Sequence, residues 1–207
     1  MKLERFTILD SYFTAIIYTA GIIGIRLLPD FFLKTSFISI LIPLSLYLFR
    51  VKPKGKDILL ILSVYSIGFF AEWIGVRFGW LFGSYKYGDS LGIKLDGVPL
   101  IIGANWLLLS LVSREVISKL LNNKILIIIL SSILMVLIDF LIEPISDNLN
   151  FWIWENNIIP YSNYLDWFLI ALLNQTLFSF LGYKKDMFHW SLIYITILVL
   201  FFLTFYI

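Results

Sequence analysis

The chain is built as a succession of apolar runs close to the thickness of a bilayer core, and this constrains its fold more than any motif does. A spanning helix needs about 20 mainly apolar residues. Such runs lie near Ser11 to Leu28, Phe31 to Phe49, Ile58 to Trp80, Val98 to Val112, Ile125 to Ile142, Tyr164 to Leu181 and Phe188 to Ile207. The fourth is short, so it is tilted, partly buried or extended past Arg114; the break between the first two rests on Arg26, Pro29 and Asp30. The predicted fold is all-α, a polytopic membrane helix bundle of about seven transmembrane helices, with six to eight as the range. A composition of 60% hydrophobic and 14% charged residues does not describe a soluble surface. No internal repeat, low-complexity tract or linker divides the chain, so residues 1–207 are expected to form a single integral membrane domain. The opening MKLERFTILD lacks a short h-region with a small-residue cleavage site and is kept as part of the mature protein.

A formal net charge of +2, with basic residues set between apolar runs and forming no stripe, argues against nucleic acid as a partner. There is no cysteine, which removes disulfides, thiolate metal sites and cysteine nucleophiles. With seven helices, Lys2, Arg5, Arg50, Lys52, Lys54, Lys56, Arg114, Lys119, Lys124, Lys184 and Lys185 fall on one side, and only Arg26, Lys34, Arg77, Lys86 and Lys94 on the other. The first side is read as cytoplasmic, N-terminus included, in the cell (inner) membrane; the loops from Gly83 to Gly97 and from Pro144 to Asn163 then share the external side.

Within this frame, Glu72 and Asp139 each lie about 14 residues into their helices, roughly 21 Å from the cytoplasmic edge. Asn105 and Asp166 fall in the same outer layer. Asp139 and Glu143 stand four apart, on one face of the fifth run just before Pro144. Two like charges this close in a low dielectric should not both stay ionised, which leaves one carboxylic acid able to give up a proton. The bland alternative has both acids at the membrane rim or neutralised by Arg77, with a role in folding alone. Intramembrane acids are costly to keep, and that favours function for Asp139 and Glu72. Aromatics flank the acids: Trp73, Phe78, Trp80, Phe82, Tyr85 and Tyr87 in one loop region, and Phe151, Trp152, Trp154, Tyr161, Tyr164 and Trp167 in the other. An interfacial belt explains part of this set; aromatic faces also stabilise cations and pack on flat polyenes. Arg77 is expected to pair with Glu72 or Asp96. Asn163, Asn174 and Gln175 suit interhelical hydrogen bonds, and His189 has no second histidine with which to hold a metal.

Neither a Walker A loop, nor a G-x-S-x-G elbow, nor H-E-x-x-H is present, so no metal, nucleotide or other cofactor is expected. Phe188 to Ile207 has no lysine for a retinal Schiff base, and D-F-L-I-E is too sparse for the clustered aspartates of an intramembrane prenyltransferase.

The stretches EWIGVRFGWLFGSYKYGDSLGIKLDGVPLIIGANW and DFLIEPISDNLNFWIWENNIIPYSNYLDWF carry a pattern E-x-x-G-x-x-x-G-x-x-F-G-x-Y-x-Y, then LG and VP, then D-x-x-x-[DE]-P, W-x-W and P-x-x-N-Y/F-x-x-W. Here the positions are Glu72, Gly75, Gly79, Phe82, Gly83, Tyr85, Tyr87, Leu91, Gly92, Val98 and Pro99, followed by Asp139, Glu143, Pro144, Trp152, Trp154, Pro160, Asn163, Tyr164 and Trp167. Over roughly Ser63 to Trp167 the chain resembles the membrane-bound carotenoid biosynthesis protein family, which includes the carotenoid 1′,2′-hydratases and the bisanhydrobacterioruberin hydratase. The resemblance implies cofactor-independent addition of water to the terminal 1′,2′ double bond of a ψ end group, lycopene- or γ-carotene-like, giving a tertiary alcohol. A reading of another class is a non-catalytic carotenoid- or quinone-binding membrane protein.

For hydration, Asp139 is expected to act as the acid with Glu143 as its partner, and Glu72 to orient the water and take its proton. Tyr85, Trp152 and Trp154 would face the cation through their rings, with Asn105, Asn163 and Trp167 completing a substrate-binding set in contact with carotenoid and membrane lipid. Which carotenoid is used, whether one or both ends react, and the oligomeric state are left open.

Overall fold

The computed structural model describes the backbone of residues 2–206 and the side chains of residues 8–206. The side chains of Lys2 and Arg5, counted above in the charge asymmetry, and all of Ile207 lie outside the described residues. Along the chain run α1 (Lys2–Leu27), α2 (Pro29–Lys34), α3 (Ile38–Val51), α4 (Lys56–Phe78), β1 (Tyr85–Tyr87), β2 (Lys94–Leu95), β3 (Val98–Pro99), α5 (Ile101–Leu120), α6 (Lys124–Ile142), β4 (Trp152–Trp154), α7 (Tyr161–Phe180) and α8 (Phe188–Leu203). The molecule is an all-α membrane helix bundle, with short strands only in its loops. Four segments are long and apolar enough to cross a bilayer: Ile8–Leu27, Lys56–Phe78, Ile101–Leu120 and Lys124–Ile145. Ile38–Val51 and Phe188–Leu203 are apolar but shorter.

Each predicted run contains a helix, with one correction. The run from Phe31 to Phe49 is not continuous; it divides into α2 and α3 at residues 35–37. There the Thr35 hydroxyl donates to the carbonyls of Phe31 (3.2 Å) and Phe32 (3.0 Å), and the Ser36 hydroxyl to Phe32 (3.3 Å). Short hydroxyl side chains that bond to nearby carbonyls compete with the helical ladder. The short fourth run extends past Arg114, as one of its alternatives required: α5 continues to Leu120.

This α5 is the centre of the bundle, packed against α3, α4, α6, α7 and α8. Its residues from Ile102 to Val116 are almost all buried, as expected of a helix apolar on every side. The contact with α4 is close because Gly68 has no side chain: a Cβ there would collide with the Cβ and ring of Trp106. Glu72 lies one turn beyond Gly68 on the same face of α4, so this approach brings the Trp106 indole to the carboxylate. Gly79, in the left-handed region with φ of 66°, ends α4 by donating its N–H to the Gly75 carbonyl. Gly68→Ala should therefore cost about 1–3 kcal/mol through overpacking. Thermal unfolding in detergent measures this against Gly21→Ala, where the nearest atom to an added Cβ is 3.4 Å away and little loss is expected.

Candidate functional site

Two loops at the same end of the bundle are joined by strand pairing. β1 and β4 run antiparallel with Tyr85 opposite Trp154, Lys86 opposite Ile153 and Tyr87 opposite Trp152. Side chains alternate along a strand, so both tyrosines and both tryptophans share one face, and Lys86 and Ile153 take the other. That face closes over three buried carboxyl groups: Glu72 on α4 (4% exposed), Asp139 on α6 (0%) and Glu143 in the 3-10 turn after α6 (3%).

Each carboxyl has its own set of donors. Glu72 Oε2 accepts the hydroxyls of Tyr85 and Tyr87, the latter at 2.7 Å, and Oε1 accepts the Trp106 indole N–H at 3.0 Å. Burial, followed by the adjacent Glu72 carboxylate, raises both phenols well above the ordinary tyrosine range, so they remain donors. Glu143 Oε2 accepts the indole N–H groups of Trp152 (3.0 Å) and Trp154 (2.6 Å). The Asn163 amide bridges the remaining pair, donating to Glu143 Oε1 at 2.9 Å and Asp139 Oδ2 at 3.1 Å. Asp139 Oδ1 is buried without a hydrogen-bond partner. Among the described residues no lysine or arginine makes an ion pair with any of the three. Arg77 instead pairs with Asp96 at 3.6 Å, which decides between its two expected partners.

Two cavities adjoin here. The smaller, about 20 Å³, is lined by Glu72, Glu143, Tyr85, Tyr87, Asn105 and Asn163 together with Ile102, Trp152, Trp154 and Trp167. It has several polar groups in its wall and room for about one water molecule. The larger, about 310 Å³, lies among α1, α2, α3, α5 and α8. Ile102, Asn105 and Trp152 line both. The larger space is apolar even where hydroxyl residues border it, because Thr35, Ser36 and Ser39 bond to backbone carbonyls nearby. On the wall common to both, the Asn105 side chain makes no hydrogen bond with the described residues.

The sequence-derived set assembles, with two changes. Asp139 is not on the wall of either cavity; Asn163, which bonds to it, is on the wall of the smaller one, and Glu143 is the member of the pair that faces the space. The tryptophans act through more than their ring faces, since both indole N–H groups bond to Glu143. Asp166 lies apart from the site, accepting the Phe82 N–H at 2.7 Å and so fixing the loop entry. Gln175 does bond between helices, to the Ser110 carbonyl at 2.9 Å, whereas Asn174 is buried with neither amide atom paired. Sequence reasoning left Tyr87 and Trp106 out of the site. The Y-x-Y alternation signals Tyr87; nothing local marks Trp106, whose ring stacks on Trp167 at 3.9 Å between centroids.

A match to the family described as "Carotenoid biosynthesis protein" extends over residues 33–207. The chain belongs to the carotenoid biosynthesis protein family. The match covers every carboxyl and aromatic group of the site but begins inside α2, so α1, whose Tyr18 and Gly21 border the apolar cavity, precedes it. A curated relative is the bisanhydrobacterioruberin hydratase of Haloarcula japonica, 30% identical over 167 residues, covering 73% of this chain and 54% of the relative. The chain thus spans about half the length of that relative. No solved structure matches this member of the carotenoid biosynthesis family.

Proposed function

We propose that the protein is a carotenoid hydratase, adding water across the terminal 1′,2′ double bond of a ψ end group to give a tertiary alcohol without a cofactor. The observation that carries this reading is the adjacency of an apolar cavity and a water-sized pocket between two carboxyl groups, which share Ile102, Asn105 and Trp152 in their walls. An isoprenoid chain of the lycopene or γ-carotene kind lies in the larger cavity with its end group at that shared wall, and water occupies the smaller.

Asp139 and Glu143 share one proton, because two like charges bonded to the same Asn163 amide have no contacting cation to balance them. Glu143, on the cavity wall, passes that proton to the less substituted alkene carbon, using the π pair to form the new C–H bond and leaving a tertiary cation. The Trp152, Trp154 and Tyr85 rings and the carboxylates of Glu72 and Glu143, both on the pocket wall, stabilise it. Water, positioned by Glu72 and Asn105, bonds to the cationic carbon and loses a proton to Glu72. Transfer of that proton back to the Asp139–Glu143 pair restores the site, so the net change is alkene plus water to alcohol.

The test is turnover by purified, EDTA-treated protein in lipid with lycopene in ¹⁸O-labelled water. One labelled hydroxyl per reacting end is expected. Pigment that co-purifies and stays unaltered would make the protein a binder, and oxygen from O₂ would make it a hydroxylase. Trp154→Phe tests the donor role. It removes the 2.6 Å bond to Glu143, and bonds to charged groups are worth about 1.5–3 kcal/mol, so turnover should fall about tenfold or more. Trp154→Leu should cost more again, since the ring is lost as well.

The same reading takes residues 1–207 as one integral membrane domain with the N-terminus cytoplasmic and the paired loops external, in the cell (inner) membrane. Cysteines placed singly at Lys86 and Ile153 should react with an impermeant thiol reagent on intact cells; labelling only after lysis reverses the orientation.

A further inference from the structure

A third cavity, about 460 Å³, lies at the end of the bundle away from the paired loops, bordered by Arg114, Glu115, Lys119, Lys124, Lys184 and Lys185. Arg114 is 9% exposed and stands nine positions along α5 from Asn105, roughly 14 Å. Its guanidinium bonds to neutral acceptors: the Gln175 carbonyl at 3.3 Å, Gln175 Oε1 at 3.5 Å and the Ser179 hydroxyl at 3.0 Å. Glu115 is its sequence neighbour, but Glu115 Oε1 accepts the Tyr47 hydroxyl and Oε2 the Met187 N–H, and no ion pair joins it to Arg114. Lys185 is paired with Asp57 at 2.8 Å, and Lys119 stands 4.0 Å from Asp186. Lys124 and Lys184, both exposed, have no ion-pair partner among the described residues.

A buried guanidinium without a contacting anion is costly, and its planar fork matches a phosphate. We propose that this cavity is a phosphate-binding site, Arg114 holding the anion from the interior and Lys124 and Lys184 from the rim. Its place favours the phosphodiester of an anionic lipid headgroup. Leu120, Ile125 and Phe180 expose 65%, 67% and 84% of their surface nearby, where acyl chains would lie. This inference is independent of the hydratase reading.

The test offers the full chain equal amounts of phosphatidylglycerol and phosphatidylcholine, and reads the lipid retained by native mass spectrometry. In parallel, thermal unfolding is followed with inorganic phosphate against chloride at fixed ionic strength. Phosphatidylglycerol should be retained in preference, and the paired change Lys124→Ala and Lys184→Ala should weaken it by about fivefold per lysine. Arg114→Gln should weaken it further; should that protein fail to fold, the exposed lysine pair decides alone. Stabilisation by inorganic phosphate that the paired change abolishes, without lipid preference, supports the same anion site with a soluble phosphate as its occupant. Equal retention by native and lysine-substituted protein, or neither lipid preference nor a phosphate effect, overturns the proposal.

Discussion

Asp139→Asn is expected to lower hydration of a ψ-ended carotenoid by about 10²-fold or more while the protein still folds and retains pigment. The amide keeps the size of the side chain and, with its oxygen toward Asn163, the bond to the Asn163 amide. What it removes is the second carboxyl of the pair, and with it the reason for Glu143 to hold a proton. Glu143→Gln should cost at least as much, because it takes the group that faces the cavity and also presents an N–H₂ toward donors that need an acceptor. The two changes together should cost little more than either alone, since one shared proton can be removed only once. Turnover of the four proteins, with bound carotenoid measured by absorbance, completes the cycle. Fully additive losses would mean that the carboxyls act separately, and near-native activity in Asp139→Asn would leave Glu143 as the acid by itself.

Much of this arrangement is legible before any coordinates. Apolar runs locate the helices because lipid demands internal hydrogen bonding over a fixed thickness, and the i to i+4 spacing of Asp139 and Glu143 puts them on one face whatever surrounds them. The expectation of matching depth for Glu72 and Asp139 rests on rise per residue alone. Other features depend on contacts between distant segments. The pairing of Tyr85–Tyr87 with Trp152–Trp154 joins two loops across α5 and α6, and only that register shows that the indoles bond to Glu143 and the phenols to Glu72. Trp106 carries no signal in the sequence because its place beside Glu72 depends on Gly68 of the neighbouring helix. The division of α2 from α3 turns on two hydroxyl side chains that average hydropathy does not resolve. Asp139 sits deeper than its spacing implies, since Asn163 of α7 takes the position on the wall.

Glu72→Gln should also reduce turnover by about 10²-fold or more, for a different reason. Three donors converge on this carboxylate from the β1 loop and from α5, so it is held as an acceptor before substrate arrives. A preorganised acceptor can fix the attacking water and take its proton as the C–O bond forms, with no reorientation in the transition state. Glutamine keeps the side-chain length but accepts at one atom only, leaving Tyr85 and Tyr87, or Trp106, facing an N–H₂ group. Pigment retention should be unchanged, because Glu72 borders the water-sized cavity and is absent from the lining of the apolar one. The paired change Tyr85→Phe and Tyr87→Phe separates positioning from proton transfer: the carboxylate remains but its orientation loosens, and an intermediate loss is expected. A Glu72→Gln protein that hydrates at the native rate would move the base to Glu143. Glu72 would then be a structural acceptor that ties the β1 loop to α4.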